Sequence, residues 1–212
     1  MTFFKWGSRQ AEAPLVPDGP GELCDVVAAS KVLPRFLSAV EREATPVLVD
    51  LGPVVGSNVE LFGERLACKL LVLDLCQEVE RTAGSDESHE LAAAIEARVP
   101  ETSESVDGIL CWDLFDYLDD QTSAALAGRL ARTLKPGGFL HAFFATAADE
   151  TDHYTRFVVE AEDVIRHRFY PATPRRRRVL SPRDIDRMFA GLDMVENVLL
   201  KTRSRETLFR KR

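Results

Sequence analysis

The chain has 212 residues, of which 45% are hydrophobic, 34 are acidic and 27 are basic, for a formal net charge of −7. That length supports one good core in a single domain, and no apolar run is long enough to span a bilayer. Four cysteines without Cys-x-x-Cys spacing and four scattered histidines argue for reduced, buried thiols and against a disulfide framework or a zinc site, so a cytoplasmic protein with no metal is expected.

Residues 1–29 read as a flexible lead-in. Pro14, Pro17 and Pro20 with Gly19 and Gly21 break any regular element, although Phe3, Phe4 and Trp6 are apolar enough to pack on something. From residue 30 to the end the pattern is that of one domain. A helix is expected over about 30–43, with Val32, Leu33, Phe36, Leu37 and Val40 on one face and Pro34 in the first turn.

Val47-Leu48-Val49 then reads as a buried parallel strand ending in Asp50, followed by a turn with Gly52 and Gly56. Ser57 and Glu60 form a Ser-x-x-Glu capping box that predicts the next helix. A glycine-bearing turn at the carboxyl end of a strand is where open α/β sheets bind ligands, because glycine lets a ligand approach the backbone and the helix start offers free N–H groups. Tight turns favour glycine for their own sake too. The motif gains weight from Asp74, at the end of a second apolar strand and 24 residues beyond Asp50, where a carboxylate can accept both hydroxyls of a ribose or simply cap the next loop.

Leu91, Ile95 and Val99 suggest one amphipathic helix, with no clear strand before Val106. Residues 106–113 read as a further central strand ending in Asp113, and a helix over 121–134 is halted by Lys135-Pro136-Gly137-Gly138 before a strand at 139–145. Ser181-Pro182 marks the start of a helix with Ile185, Met188 and Phe189 on its buried face. Residues 194–200 and 206–209 read as an antiparallel hairpin. Charge is uneven: residues 166–212 hold 14 Lys or Arg against 5 Asp or Glu, and include the run Arg175, Arg176, Arg177, Arg178. Such a run can meet nucleic acid or an acidic protein, lie on this protein's own acidic surface, or stay solvated.

This succession resembles the class I S-adenosylmethionine-dependent methyltransferases over residues 30–210. The resemblance is carried by Val106 to Leu118 and by Leu134-Lys135-Pro136-Gly137-Gly138-Phe139-Leu140, which look like the family's fourth strand and the turn after its following helix. It implies an α/β, Rossmann-like, doubly wound and mostly parallel sheet with a C-terminal antiparallel hairpin, here with the third strand missing. It also implies S-adenosylmethionine as cofactor, with Asp50, Gly52 and Gly56 at its methionine part and Asp74 on its ribose. Asp113 is then expected to line the methyl-transfer pocket, with Trp112 read as core and Tyr117, His153 and Tyr154 as candidates to orient or deprotonate a small-molecule acceptor.

Two departures stand out. Val54 occupies the position of the first motif's second glycine, where a branched side chain is expected to weaken cofactor binding, so Val54→Gly should improve affinity if the turn faces the ligand. The absent third strand removes the usual adenine contact, for which only Glu101 or Glu104 could substitute. A methyltransferase with an unidentified acceptor is the reading these residues favour. The alternative is a degenerate methyltransferase fold serving as a protein or RNA interaction module. A nicotinamide-dependent oxidoreductase lacks its Gly-x-Gly-x-x-Gly.

Overall fold

A computed structural model describes residues 25–82, 88–148, 153–171 and 177–212. The chain enters it on strand β1 (Val26–Ala29), four residues that the sequence assigned to the lead-in. They are held because Ser30, just after the strand, donates from Oγ to Glu206 Oε1 at 2.5 Å and accepts the Leu33 N–H at 2.8 Å. Helix α1 (Leu33–Val40) follows with Pro34 in its first turn, where no amide donor is needed, and it buries Leu33, Phe36, Leu37 and Val40.

Strand β2 (Val47–Asp50) is as expected. The next helix is not capped by Ser57. Val55 is the extended residue, so α2 (Gly56–Val59) begins two residues earlier and leaves Ser57 inside the first turn, with no side-chain cap; Glu60 already belongs to a π-helical turn over Glu60–Arg65. Strand β3 (Lys69–Val72) leads to α3 (Leu75–Arg81), which Asp74 caps by accepting the Gln77 N–H at 3.3 Å. Helix α4 (Ser88–Arg98) comes next, and among the described residues no strand separates α3 from β4 (Val106–Trp112).

A 3-10 turn (Leu114–Tyr117) joins β4 to α5 (Asp120–Thr133), whose cap is Asp119, bonded through its carboxylate to both the N–H and the hydroxyl of Thr122. Strand β5 (Leu134–Ala145) opens on the Lys-Pro-Gly-Gly turn, and the pairing with β4 jumps from Val106–Leu134 to Gly108–Phe139 across it. Gly137 takes φ +83°, and Lys135 Nζ reaches both carboxylate oxygens of Asp107 at 2.7 and 2.9 Å, pinning that end of the sheet.

After β5 comes an insertion absent from the sequence reading: β6 (His153–Ala161) and β7 (Val164–Pro171), an antiparallel hairpin onto which β1 adds as a third strand. Helix α6 (Pro182–Met188), capped by Ser181, and the hairpin of β8 (Leu192–Leu199) and β9 (Ser204–Lys211) complete the chain as expected.

The main sheet runs β3-β2-β4-β5-β9-β8, with only β9 antiparallel to the others. Helices α3 to α6 bury Leu75, Ile95, Leu130 and Phe189 on one face; α1 and the small sheet bury Phe36, Phe157 and Ile165 on the other. Contact there is tight. A methyl group on Gly108 would come within 2.5 Å of Leu48 and 2.8 Å of Phe36. This two-faced arrangement brings the carboxyl ends of β3, β2 and β4 to one rim, beside which the insertion lies. Among the described residues no helix is long and apolar enough to cross a membrane.

Candidate active site

Asp74, Asp50 and Asp113 follow three neighbouring parallel strands, so the sheet gathers them as expected, but it does not turn them the same way. Asp74 and Asp113 line a cavity of about 330 Å3, together with Cys76, Tyr117 and Pro53. That volume lies in the range of small-molecule sites, roughly 300–1,000 Å3. Its other wall comes from the insertion, through Tyr154, Thr155 and Arg156 of β6 and Tyr170 of β7. The Tyr117 and Tyr154 rings sit 6.0 Å apart, and the Arg156 guanidinium lies 4.6 Å from the centre of the Tyr170 ring.

The position of Asp74 is local in origin. Its φ of +45° is left-handed backbone, which aspartate tolerates better than most residues, and this lets the carboxylate cap α3 while facing the cavity. Asp113 sits at the opening of the 3-10 turn, with Arg177 Nη2 3.6 Å away. Tyr117 is nearly buried, and burial with the charges of Asp113 and Asp116 pushes its phenol far up, so it stays protonated. Burial also keeps Cys76 a neutral thiol. His153 opens β6, and its side chain lies outside the described structure.

Asp50 and Gly52 are not among the residues that line this cavity. Asp50 Oδ1 accepts the Gly52 N–H at 2.9 Å and the Trp112 indole N–H at 2.6 Å, and burial pushes its carboxyl up to about 6. The indole covers Gly52 so closely that a Cβ there would be 2.5 Å from Trp112 Cδ1. The expectation that Trp112 is core is right in burial; its consequence for Gly52 was unforeseen. Gly56 is at the surface with open space around it. Val54, expected to crowd the ligand, is 64% exposed and has an ordinary φ, so the change from glycine places no bulk in the cavity.

Glu101 and Glu104 are at the wrong end of the sheet for an adenine contact, because they precede β4, where they meet Arg129 at 3.8 Å and Lys211 at 3.5 Å. The charge run is partly internal. Arg177 Nε donates to buried Asp116 Oδ2 at 3.0 Å, and Arg178 bonds the Leu118 carbonyl and Asp120; Arg175 and Arg176 lie outside the described residues, as do Phe3, Phe4 and Trp6. Asp116 is the residue the sequence reading missed. Its Oδ2 also takes the Ala145 N–H at 2.8 Å, and burial, opposed by Arg177, pushes its carboxyl up to about 7. The signal for it was the second aspartate of Asp113-x-x-Asp116, on the same short turn. Among the described residues no cluster suits a metal ion.

Tested against S-adenosylmethionine, the donor set fits one half of the molecule. Asp74 offers a ribose acceptor beside a cavity with aromatic walls, which suits a nucleoside. The Asp50–Gly52 pair does not fit the amino-acid half while Trp112 lies on it.

A family profile described as "Methyltransferase domain" matches residues 22–196. Solved structures share the fold at low identity. The CcbJ methyltransferase of Streptomyces caelestis aligns with a TM-score of 0.51 and 16% identity over 85% of this chain and 94% of its own. A S-adenosylmethionine-dependent methyltransferase of Clostridium acetobutylicum gives 0.51 and 13% over 87% and 92%. One from Methanosarcina mazei gives 0.51 and 10% over 85% and 97%. No curated protein matches the chain significantly.

Proposed function

Because the chain belongs to the class I S-adenosylmethionine-dependent methyltransferase family, we propose that it transfers a methyl group to a small-molecule acceptor, with the nucleoside end of its cofactor in the cavity beside Asp74. The observation that carries this reading is that Asp74 and Asp113, from the ends of the two strands that flank β2, face one cavity of suitable size walled by the β6–β7 insertion.

Held at its ribose by Asp74, the cofactor would supply an activated methyl: the acceptor's lone pair would form the new bond to carbon, the carbon–sulfur pair would stay on sulfur, and the acceptor would release its proton. Little acid–base chemistry is then required of the protein, whose task is alignment and the exclusion of water. Asp74 accepts hydrogen bonds from the ribose hydroxyls. Asp113, braced by Arg177, holds the acceptor's X–H group and is the carboxylate placed to receive its proton. Tyr117, kept protonated, donates a hydrogen bond rather than acting as a base. Tyr154, Tyr170 and Arg156 form the wall across from them, which favours a planar or polar acceptor small enough to share the cavity.

The interaction-module alternative draws no support from Arg177 and Arg178, whose guanidinium groups are bound within the fold. A co-crystal structure with S-adenosylhomocysteine tests the proposal. Nucleoside density between Asp74 and the Tyr154 wall is expected; density elsewhere, with the cavity empty, would refute it.

A further inference from the structure

Trp112 does what a ligand would do at the first turn. Its indole N–H satisfies Asp50 Oδ1 at 2.6 Å, and its ring lies flush on Gly52, where any larger side chain would clash. The ring is the end of a stack: Phe157 lies parallel to it at 5.2 Å and Phe143 at 6.4 Å, tilted by only 7° and 8°. Phe157 is carried by β6, and β6 is tied to α2 by Asn58, which donates to the Phe157 carbonyl at 2.9 Å and accepts the Val159 N–H at 2.8 Å. The insertion thus holds the aromatic stack against the turn.

Two features mark the position as an arrangement of its own. Trp112 has φ +51°, left-handed backbone rarely adopted by a bulky residue, and it sits at a break in the β4–β5 register. Its neighbour in sequence, Asp113, lines the cavity. Pro53, next to Gly52, lines the cavity, so the turn that the indole covers is one residue from the cavity wall.

We propose that Trp112 is a specificity-determining residue that occupies the seat of the ligand's amino-acid end, so that the closed site takes a nucleoside and admits an aminoacyl tail only when the indole leaves Asp50 and Gly52. The inference rests on the placement of the nucleoside beside Asp74. It gives the insertion a role beyond walling the acceptor, since the grip of Asn58 on β6 sets how firmly the stack is held.

Calorimetry of the full chain with adenosine and with S-adenosylhomocysteine, for the wild type and Trp112→Ala, tests it. In the wild type the homocysteine tail should add little affinity over adenosine. In Trp112→Ala it should add about tenfold or more, with adenosine nearly unchanged. Should the variant not fold, a Trp6→Phe protein leaves Trp112 as the sole tryptophan of the chain's two, and its emission should shift on addition of S-adenosylhomocysteine but not of adenosine. A tail that strengthens wild-type binding strongly with no change in Trp112 emission would overturn the role of Trp112 and leave the nucleoside site standing. Failure of both ligands to bind either protein would overturn the underlying placement and the inference with it.

Discussion

Arg177 Nε donates to Asp116 Oδ2 at 3.0 Å in a pair whose side chains are 12% and 0% exposed, so a residue from the basic run meets a buried carboxyl beside Asp113. Removing Arg177 takes away the cation that holds the Asp116 carboxyl down, so Asp116 must stay charged away from water or take up a proton. Arg177→Ala should cost about 3–5 kcal/mol of stability, whereas adding Asp116→Asn in the same chain should recover part of the loss. Urea denaturation of the two variants checks this. Equal loss in the single and double variants would show that Arg177 acts by packing alone.

Asp50 makes stability depend on pH in a definite direction. Burial raises its carboxyl from 3.8 to about 6, Asp74 adding to the rise while the Gly52 and Trp112 bonds oppose it. The folded state therefore keeps a proton that the unfolded chain has released. This contribution is fully present below roughly pH 4 and is lost as pH rises through about 6, a span worth about 3 kcal/mol. Asp50→Asn keeps an oxygen for both N–H donors and does not titrate. Its stability relative to wild type should rise by roughly that amount between pH 4 and pH 7. A difference independent of pH would mean that Asp50 titrates normally.

Val54 is a test of where the first turn points. Its side chain is turned to solvent, so Val54→Gly should leave cofactor affinity unchanged within about twofold. A clear gain in affinity on titration would show that the turn faces the ligand after all.

Much of the main sheet was legible in the sequence because its strands are buried on both faces and read as unbroken apolar runs, as at Val47–Val49 and Ile109–Cys111. The caps at Ser181 and the stop at Lys135–Gly138 were legible because each residue type has one local use. The insertion was not. Its signal is the alternation Thr155, Phe157, Val159 against Arg156, Val158, Glu160, continued by Ile165 and His167; histidine and threonine at buried positions masked the period of two. At the site, Asp74 and Asp113 could be placed from strand ends alone. The direction of the Asp50 carboxylate could not, because it is set by the Trp112 indole, 62 residues away in sequence, and by an aromatic stack that exists only once β6 packs on α2.

Under the proposed function, Asp74 grips a ribose in the cavity. Asp74→Asn retains an oxygen to cap α3 but lacks the charge, so the fold should persist while adenosine binding weakens by about 1–3 kcal/mol. Calorimetric titration of adenosine into wild type and Asp74→Asn measures this directly. Adenosine should bind the wild type and lose roughly 5- to 150-fold in affinity in the variant. Equal affinities, or no heat from the wild type, would contradict it.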